Sequence, residues 1–227
     1  MFKNNYLFIS ASLLISAQVC AQQYPSKPLR LIVAFAPGGA TDTFARITAA
    51  ELTRTLGQQV VVENRPGAGT TIAAEFVVKS AADGYTLLLT DLSTHAIMPS
   101  LYQKLAFNHG RDLIAVAPVS ASPLIMAAHP SVGVRNAKEL IALAKRSPGI
   151  TCGNSGAGTV THLAAEKFRT RAGIELLSVN YKGGTTSTVS LMTGELSLIV
   201  NTIPAVLEHV KSKKLDRKST RLNSSHT

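Results

Sequence analysis

The sequence predicts an α/β protein made of two similar blocks, and three observations support this prediction. Apolar runs of strand length alternate with helical patterns from residue 29 to residue 90, in the order β-α-β-α-β. That order is typical of a parallel sheet with crossover helices. Two glycine-rich turns, at 37–42 and 153–159, each lead into a predicted helix. Hydrophobic residues make up 45% of the 227 residues, which is enough for a substantial core.

The first residues have the pattern of a secretory signal. A positively charged residue, Lys3, is followed by an apolar stretch at 6–17 that is too short to span a bilayer. Residues 19–21 supply small residues before a cleavage site. The sequence therefore predicts a signal peptide over 1–21, cleavage after Ala21 and export. A lipoprotein signal with Cys20 as the lipidated residue is the alternative, although Val19 is unfavourable just before such a cysteine.

The first strand is predicted at 29–35 and is followed by the turn at 37–42 and a helix. Pro37 ends the strand, the two glycines allow positive φ, and Thr41 or Asp42 is expected to cap the helix. Such a turn directs free backbone N–H groups and the positive end of a helix at one point, which favours a carboxylate or a phosphate. The same residues also fit a plain strand–helix connection, and locally both interpretations stay open.

The first block continues with strands predicted at 59–63 and 85–90, separated by a helix at 71–81. Residues 91–94 follow the third strand, so we expect them at the same sheet edge as the first glycine turn. In open α/β sheets this edge is where ligands bind. The apolar stretch 113–128 contains two prolines and suits strands that cross between the two blocks.

The second block repeats the pattern around the second glycine turn. Its predicted elements are helices at 136–145, 160–171, 188–193 and 204–211 and strands at 175–179 and 195–200. Residues 216–227 show neither apolar period nor turn signals, and they have the character of a non-native tail. The predicted organisation is thus a first α/β domain over 22–120, a second over 121–215 and the tail.

Several kinds of chemistry are disfavoured by the motifs. Neither glycine turn carries the lysine of a phosphate-binding loop or the spacing of a dinucleotide fingerprint. Ser155 suggests a serine hydrolase as an alternative function, but Ala157 stands where a nucleophile elbow has its second glycine. His162 and Glu166 have the spacing of a two-ligand metal face, yet no third ligand is evident and an ordinary helix pair explains them.

The net charge and the cysteine content indicate which ligands and which cross-links the protein can have. The formal net charge of +10 favours anionic ligands, and without a Lys/Arg run with interleaved aromatic residues it does not indicate nucleic acid. Cleavage after Ala21 leaves Cys152 as the only cysteine, which excludes an internal disulfide and a Cys-rich metal site.

Six motifs occur in an order that resembles one family. They are Tyr24-Pro25-Ser26-Lys27-Pro28, Pro37-Gly38-Gly39-Ala40-Thr41-Asp42, Asn64-Arg65-Pro66-Gly67-Ala68-Gly69-Thr70, Asp83-Gly84-Tyr85-Thr86-Leu87, Ser155-Gly156-Ala157-Gly158-Thr159 with His162-Leu163, and Tyr181-Lys182-Gly183. The chain resembles the Bug-type extracytoplasmic solute receptors, the substrate-binding proteins of tripartite tricarboxylate transporters. This resemblance implies a type II periplasmic-binding-protein fold, with two α/β domains around a cleft. It also implies a monomeric periplasmic receptor that delivers a small carboxylate, such as a di- or tricarboxylate or an acidic amino acid, to membrane transporter subunits, without catalysis or a cofactor.

Carried over by position, the resemblance implies a set of substrate-binding residues in the loops of both domains. They are Gly38, Gly39, Thr41, Asp42, Ser93, Thr94, Ser155, Gly158, Thr159, Tyr181 and Lys182. Asp42 is expected to act as a helix cap or to hold a water rather than to meet the anion, and we expect Asp42→Ala and Thr159→Ala to weaken binding. Asn180 and Asn201 depart from the family pattern, where proline and an acidic residue are common.

The resemblance also implies that the first domain is incomplete. Members of the family continue past the position of Leu215 with strands that return to the first domain. We therefore expect residues 22–215 alone to expose core surface and an unpaired sheet edge, to be poorly stable, and to bind weakly or not at all.

Overall fold

The structure, a computed structural model, describes residues 24–211 and contains two β-sheets flanked by helices. The predicted signal peptide and the predicted tail over 216–227 lie outside the described residues. The sheet of residues 24–112 with its helices is called the first unit below, and the sheet of residues 124–211 with its helices the second unit.

The first unit has a three-stranded sheet that is parallel, as the alternating pattern predicts, with the strand order β2-β1-β3. Its strands are β1 (Leu29–Val33), β2 (Val60–Asn64) and β3 (Thr86–Leu89), and its helices are α1 (Ala40–Leu56), α2 (Thr71–Val78) and α3 (Met98–Leu101). A 3-10 turn over Ala68–Thr70 precedes α2, and a π-helical turn over Ser93–Ile97 precedes α3.

Alternation along β1 explains why helices cover both faces of this sheet. Leu31 and Val33 pack on one face with Ala45 of α1, whereas Ile32 packs on the other face with Ala73 of α2. Successive strand residues point to opposite faces. A continuous apolar strand therefore requires a layer of helix on each side.

The second unit has a four-stranded mixed sheet in the order β4-β7-β5-β6, with β4 antiparallel to β7 and the other pairs parallel. Its strands are β4 (Leu124–Ala128), β5 (Thr151–Asn154), β6 (Leu177–Asn180) and β7 (Leu198–Thr202), and its helices are α4 (Ala137–Arg146), α5 (Val160–Ala172), α6 (Gly184–Met192) and α7 (Ile203–Lys211). One core joins the sheet to α4 and α5, and another joins it to α6 and α7.

Two sequence predictions in this region are wrong. Only the last five residues of 113–128 form a strand, and residues 113–123 lack regular structure, with Ile114 89% and Val116 84% exposed. Helix α6 begins at Gly184 rather than at Thr188. Its first turn consists of glycine and threonine, which have low helix propensity, so the sequence pattern misses it.

The two units meet along the carboxyl ends of their strands. The N–H of Ala36 donates to the carbonyl of Lys182 at 3.3 Å, and the N–H of Val160 donates to Ser93 Oγ at 3.2 Å. Met98 of α3 is fully buried between loops of both units. A Cβ added to Gly69 or Gly158 would lie 2.7 Å or 2.6 Å from the methyl carbon of Met98.

Within residues 24–211, no helix is long and apolar enough to cross a membrane.

Candidate ligand-binding site

A small cavity lies between the two units, at the ends of β1, β5 and β7. Its volume in this conformation is about 50 Å³, which is room for one or two waters at roughly 30 Å³ each. The lining residues are Phe35, Ala36, Gly39, Ala40, Thr41 and Asp91 from the first unit and Ser155, Thr159, Val160, Thr161, Gly184, Asn201 and Thr202 from the second.

Three helix N-termini line this cavity. Ala40 begins α1, Val160 begins α5 and Gly184 begins α6, and each of them is on the cavity wall. The first N–H groups of a helix have no intrahelical partner, and the helix end carries a partial positive charge. Helices α1 and α6 also lack a side-chain cap at their start, so their own side chains leave these donors for another acceptor.

The first glycine turn is held by Asp42, which is buried in the first turn of α1. Its carboxylate accepts the N–H of Gly38 at 2.9 Å, two N–H groups of Arg46 at 3.0 and 3.1 Å, and Asn64 Nδ2 at 2.9 Å. Burial by itself raises the pKa of Asp42, but the hydrogen bonds from Arg46, Gly38 and Asn64 outweigh burial and lower it. Asp42 therefore stays ionised and fixes the shape of the turn.

The prediction that Thr41 or Asp42 caps α1 is wrong. The N-cap is Gly39, which has no side chain to offer, and Asp42 lies three residues further on. Its carboxylate reaches back to the N–H of Gly38 instead, one position before the cap. The physical reason is that the chain turns at Gly38, which has φ of +79°, so Gly39 already serves as the N-cap and the helix begins at Ala40.

The second glycine turn is held by threonine and asparagine side chains. Thr159 caps α5 by accepting the N–H of His162 at 3.4 Å, and its hydroxyl donates to the carbonyl of Gly156 at 2.7 Å. Asn154 Oδ1 accepts the N–H of Gly156 at 2.8 Å, and Thr161 Oγ1 accepts the N–H of Ser155 at 3.0 Å. These contacts fix the loop, and they occupy several backbone donors that the motif alone had suggested were free.

Hydroxyl groups on the wall remain for a ligand. Thr202 Oγ1 is buried and has no hydrogen-bond partner among the described residues. A buried hydroxyl without a partner costs about 1–3 kcal/mol, so its presence here needs an explanation. Thr41 and Ser155 also line the cavity, and among residues 24–211 neither of their hydroxyls forms a hydrogen bond.

The structure places four of the predicted substrate-binding residues on the cavity wall, and seven away from it. Those on the wall are Gly39, Thr41, Ser155 and Thr159. The others are Gly38, Asp42, Ser93, Thr94, Gly158, Tyr181 and Lys182.

These seven residues mostly hold the loops. Thr94 is buried and shares hydrogen bonds of 2.7 and 2.6 Å with the hydroxyls of Thr70 and Thr90. Tyr181 packs against the core between the sheet and α6–α7. The side chain of Lys182 is exposed, and the residue contributes its carbonyl to the contact with Ala36.

Sequence reasoning missed several residues on the wall. Asp91 lies directly after β3, and the sequence places it with 91–94 at this sheet edge, but it is not among the predicted substrate-binding residues. Asn201 and Thr202 end β7, and Asn201 Nδ2 donates to the carbonyl of Gly184 at 2.8 Å. Asn201 stands out in the sequence only as a departure from the family pattern, and no motif indicates Thr202, because only the sheet order brings β7 next to the second glycine turn.

Catalytic and metal arrangements find no support in the described part of the chain. Ser155 Oγ has no hydrogen bond to a histidine there, and the Nδ1 of His162 accepts the N–H of Gly158 at 3.1 Å. Glu166 is held by Arg169 at 2.9 Å, with His162 at 3.9 Å. No group of three or more metal-ligating side chains lies together within residues 24–211. A wider, open depression of about 510 Å³ over 99–112 contains none of the predicted site residues.

The chain is similar in sequence to one protein family and to several of its members. The model of the tripartite tricarboxylate transporter family receptor matches residues 44–226, a range that includes part of the predicted tail. Protein BugT from Bordetella pertussis is 39% identical over 203 residues, which cover 88% of this chain and 62% of BugT. The chain thus spans about three-fifths of the length of the curated relatives it matches.

Solved structures agree with this relationship. R. palustris Rpa4515 with adipate is 31% identical with a TM-score of 0.82, over 85% of this chain and 64% of that one. MatC from Rhodopseudomonas palustris with bound malate is 27% identical with a TM-score of 0.80, over 85% and 66%. The fold is therefore that of a periplasmic binding protein, as the resemblance implied. Its family consists of substrate-binding receptors and not of enzymes. The chain belongs to the receptor family of the tripartite tricarboxylate transporters.

Proposed function

We propose that this protein is a periplasmic receptor that binds a small carboxylate between its two units and delivers it to a membrane transporter. The observation that carries the proposal is the meeting of three helix N-termini at one cavity, two of them without a side-chain cap. Helix N-termini with free N–H groups are suited to carboxylates and other anions.

The cavity supplies neutral donors rather than cations. None of its lining residues is lysine, arginine or histidine, so a carboxylate would be held by backbone N–H groups and by the hydroxyls of Thr41, Ser155 and Thr202. Such donors replace the water that the anion loses on entry. The cavity also has walls from both units, and because its volume of about 50 Å³ is too small for a dicarboxylate, the units would move apart to admit one ligand that then binds to both.

The solved relatives support a carboxylate as the ligand. Adipate occupies one and malate another, and both are small dicarboxylates. For this chain we propose the same class of ligand, a monomeric receptor, and a signal peptide cleaved after Ala21. The substrate-binding set is proposed to include Gly39, Thr41, Ser155 and Thr159 on the wall, with the other seven predicted residues holding the loops in place.

The alternative, a hydrolase that uses Ser155, has less support. The Ser155 hydroxyl has no histidine or carboxylate partner in the part of the chain that the structure describes. Ester or amide turnover that is lost in Ser155→Ala would restore this alternative.

Substitution of Thr202 by valine tests the proposal. Valine keeps the shape and removes the unpartnered hydroxyl, so we expect the full-length protein to lose about fivefold in carboxylate affinity, from roughly 1 kcal/mol. Its melting temperature should not fall, because a buried unpaired hydroxyl is removed. Calorimetry against adipate, malate and succinate measures the affinity.

The matched control is Thr170→Val, on an exposed position of α5. It should leave binding unchanged. Equal affinity of wild type and Thr202→Val for the best ligand of this panel would show that the hydroxyl does not face the ligand. Absence of binding of any carboxylate to the wild type would overturn the proposed function itself.

A further inference from the structure

Asp91 is the one side chain with a formal charge among the described residues that line the cavity. It follows β3 and lies on the wall contributed by the first unit, facing the same space as the three helix N-termini. Its Oδ1 accepts the N–H of Ser93 at 2.8 Å, which fixes its orientation. A carboxylate in a cavity that attracts carboxylates requires an explanation.

The charge of Asp91 is not balanced by the protein. Within residues 24–211, Asp91 forms no ion pair, in contrast to Asp42, which is paired with Arg46 at 3.0 Å. Burial raises the pKa of Asp91, and hydrogen bonds from Ser93 oppose this rise only in part. A cationic partner supplied by the ligand would remove the imbalance.

The cavity wall contains helix N-termini, which are partly positive, and the carboxylate of Asp91, and the two favour different groups on a ligand. The helix N-termini favour a negative group, and Asp91 favours a positive one or a hydrogen-bond donor. A plain dicarboxylate satisfies the first demand and places like charges near Asp91, which is unfavourable in a partly buried site. A molecule with an ammonium group beside a carboxylate satisfies both demands.

We propose that Asp91 makes this site selective for amino acids, whose ammonium group it pairs with, over plain carboxylates of the same carbon skeleton. The inference rests on the proposed function, because it assumes that the cavity is the carboxylate site. It makes Asp91 a specificity-determining residue in addition to the loop and helix-end donors.

Matched ligands that differ at one position test the proposal directly. Succinate, malate and aspartate share a skeleton and carry a hydrogen, a hydroxyl and an ammonium group at the second carbon. Glutarate and glutamate, and propionate and alanine, provide two further pairs. Affinities of the full-length protein for all seven are measured by calorimetry. We expect the amino acid of the pair that fits to bind at least tenfold more tightly than its plain partner, with malate between the two where the four-carbon series fits.

Asp91→Asn should abolish this preference. The neutral amide cannot pair with ammonium as a charge, so we expect the ratio within the pair to fall below about threefold, mainly through loss of amino-acid affinity. Glu51→Gln is the matched control, since it removes one negative charge from the exposed surface of α1, where Glu51 contacts Arg54. This variant should keep the wild-type ratio.

The outcomes separate the two proposals. Binding of carboxylates with equal or higher affinity for the plain member of every pair would overturn the role of Asp91 and leave the proposed function standing. An unchanged ratio in a folded Asp91→Asn protein would also overturn it. No binding of any of the seven compounds would overturn the role of Asp91, and absence of adipate binding as well would overturn the proposed function. The ratio of amino-acid to plain-carboxylate affinity is measured on the wild-type protein alone, so the proposal can be tested even if Asp91→Asn does not fold.

Discussion

Asp42 and Asp91 are two aspartates near the same cavity whose carboxylates are in opposite electrostatic situations. Asp42 receives hydrogen bonds from Arg46, Gly38 and Asn64, and they lower its pKa despite burial. Asp91 is paired with no cation of the described chain, and burial raises its pKa. The carboxylate of Asp42 holds the glycine turn, whereas the carboxylate of Asp91 is the one that we propose pairs with the ligand.

Replacement of Asp42 by asparagine should destabilise the protein in a pH-dependent way. We expect a loss of about 1–3 kcal/mol in the free energy of unfolding at neutral pH, because charge-assisted hydrogen bonds and the pair with Arg46 are removed. The folded-state pKa of Asp42 is lowered from its ordinary value, so the wild-type advantage is present above the ordinary pKa and lost as the pH falls through the folded-state pKa. Urea unfolding of both proteins between about pH 2 and 7 measures it.

Glu51→Gln serves as the control for this measurement as well. The exposed pair of Glu51 and Arg54 should contribute less than about 1 kcal/mol. An advantage of wild type over Asp42→Asn that stays constant down to about pH 2 would contradict the role given to the ionised carboxylate.

At the scale of elements, the loop over 64–70 and the second glycine turn fit closely against each other and against α3. Gly69 has φ of +60°, and a Cβ on it would lie 2.7 Å from the carbonyl oxygen of Ala157, which belongs to the other unit. Backbone cannot move aside as a flexible side chain can. The absence of a side chain at Gly69 is therefore a condition for the contact between the units.

Gly69→Ala should weaken ligand binding by impeding this contact. Gly57→Ala is a matched control, because Gly57 has φ of +69° and no atom within 4 Å of an added Cβ. Both variants carry the cost of alanine at positive φ, about 1 kcal/mol. We expect only Gly69→Ala to lose carboxylate affinity, by tenfold or more, in calorimetry. A similar affinity in the two variants would show that the contact is not needed for binding.

The elements and the loops were predictable to different degrees. The parallel direction of β1, β2 and β3 follows from the alternation of apolar runs and helical patterns, and it is confirmed. The helix after the second glycine turn begins at Val160, as predicted. These features depend on local pattern and on the general behaviour of βαβ units.

The wall of the cavity was only partly predictable. Thr41 and Ser155 are in recognisable turns, but Asn201 and Thr202 reach the site because β7 lies between β4 and β5. No local signal carries that strand order. The hydrogen-bond partners of the loop N–H groups could not be predicted from the sequence either. Asp42 accepts the N–H of Gly38, and such a contact depends on the three-dimensional shape of the turn.

At the scale of the whole molecule, the exposed apolar segment 113–123 is notable. Ile114 and Val116 are almost fully exposed, although side chains of this kind are normally buried. The chain spans about three-fifths of the length of its curated relatives. The expectation that residues 22–215 alone are poorly stable stays a prediction.

We expect a protein made of residues 22–215 to unfold at lower temperature than the full-length protein and without a cooperative transition. Cys152 offers a second measurement, since it is buried in β5 and burial raises the pKa of its thiol to about 12. Such a thiol reacts only when the core opens. Its labelling should be fast in the shorter protein and slow in the full-length one. A cooperative melt at ordinary protein temperatures with slow labelling would contradict this prediction.

The two hydrogen bonds that join the units within residues 24–211, from Ala36 to Lys182 and from Val160 to Ser93, have a kinetic consequence. At about 1 kcal/mol each, they add only modestly to the packing of Met98 between the units. A ligand that bonds to both walls adds its own contacts to these two and slows the next separation. Discrimination between similar carboxylates would then be expressed in how long each one stays, rather than in how fast it arrives.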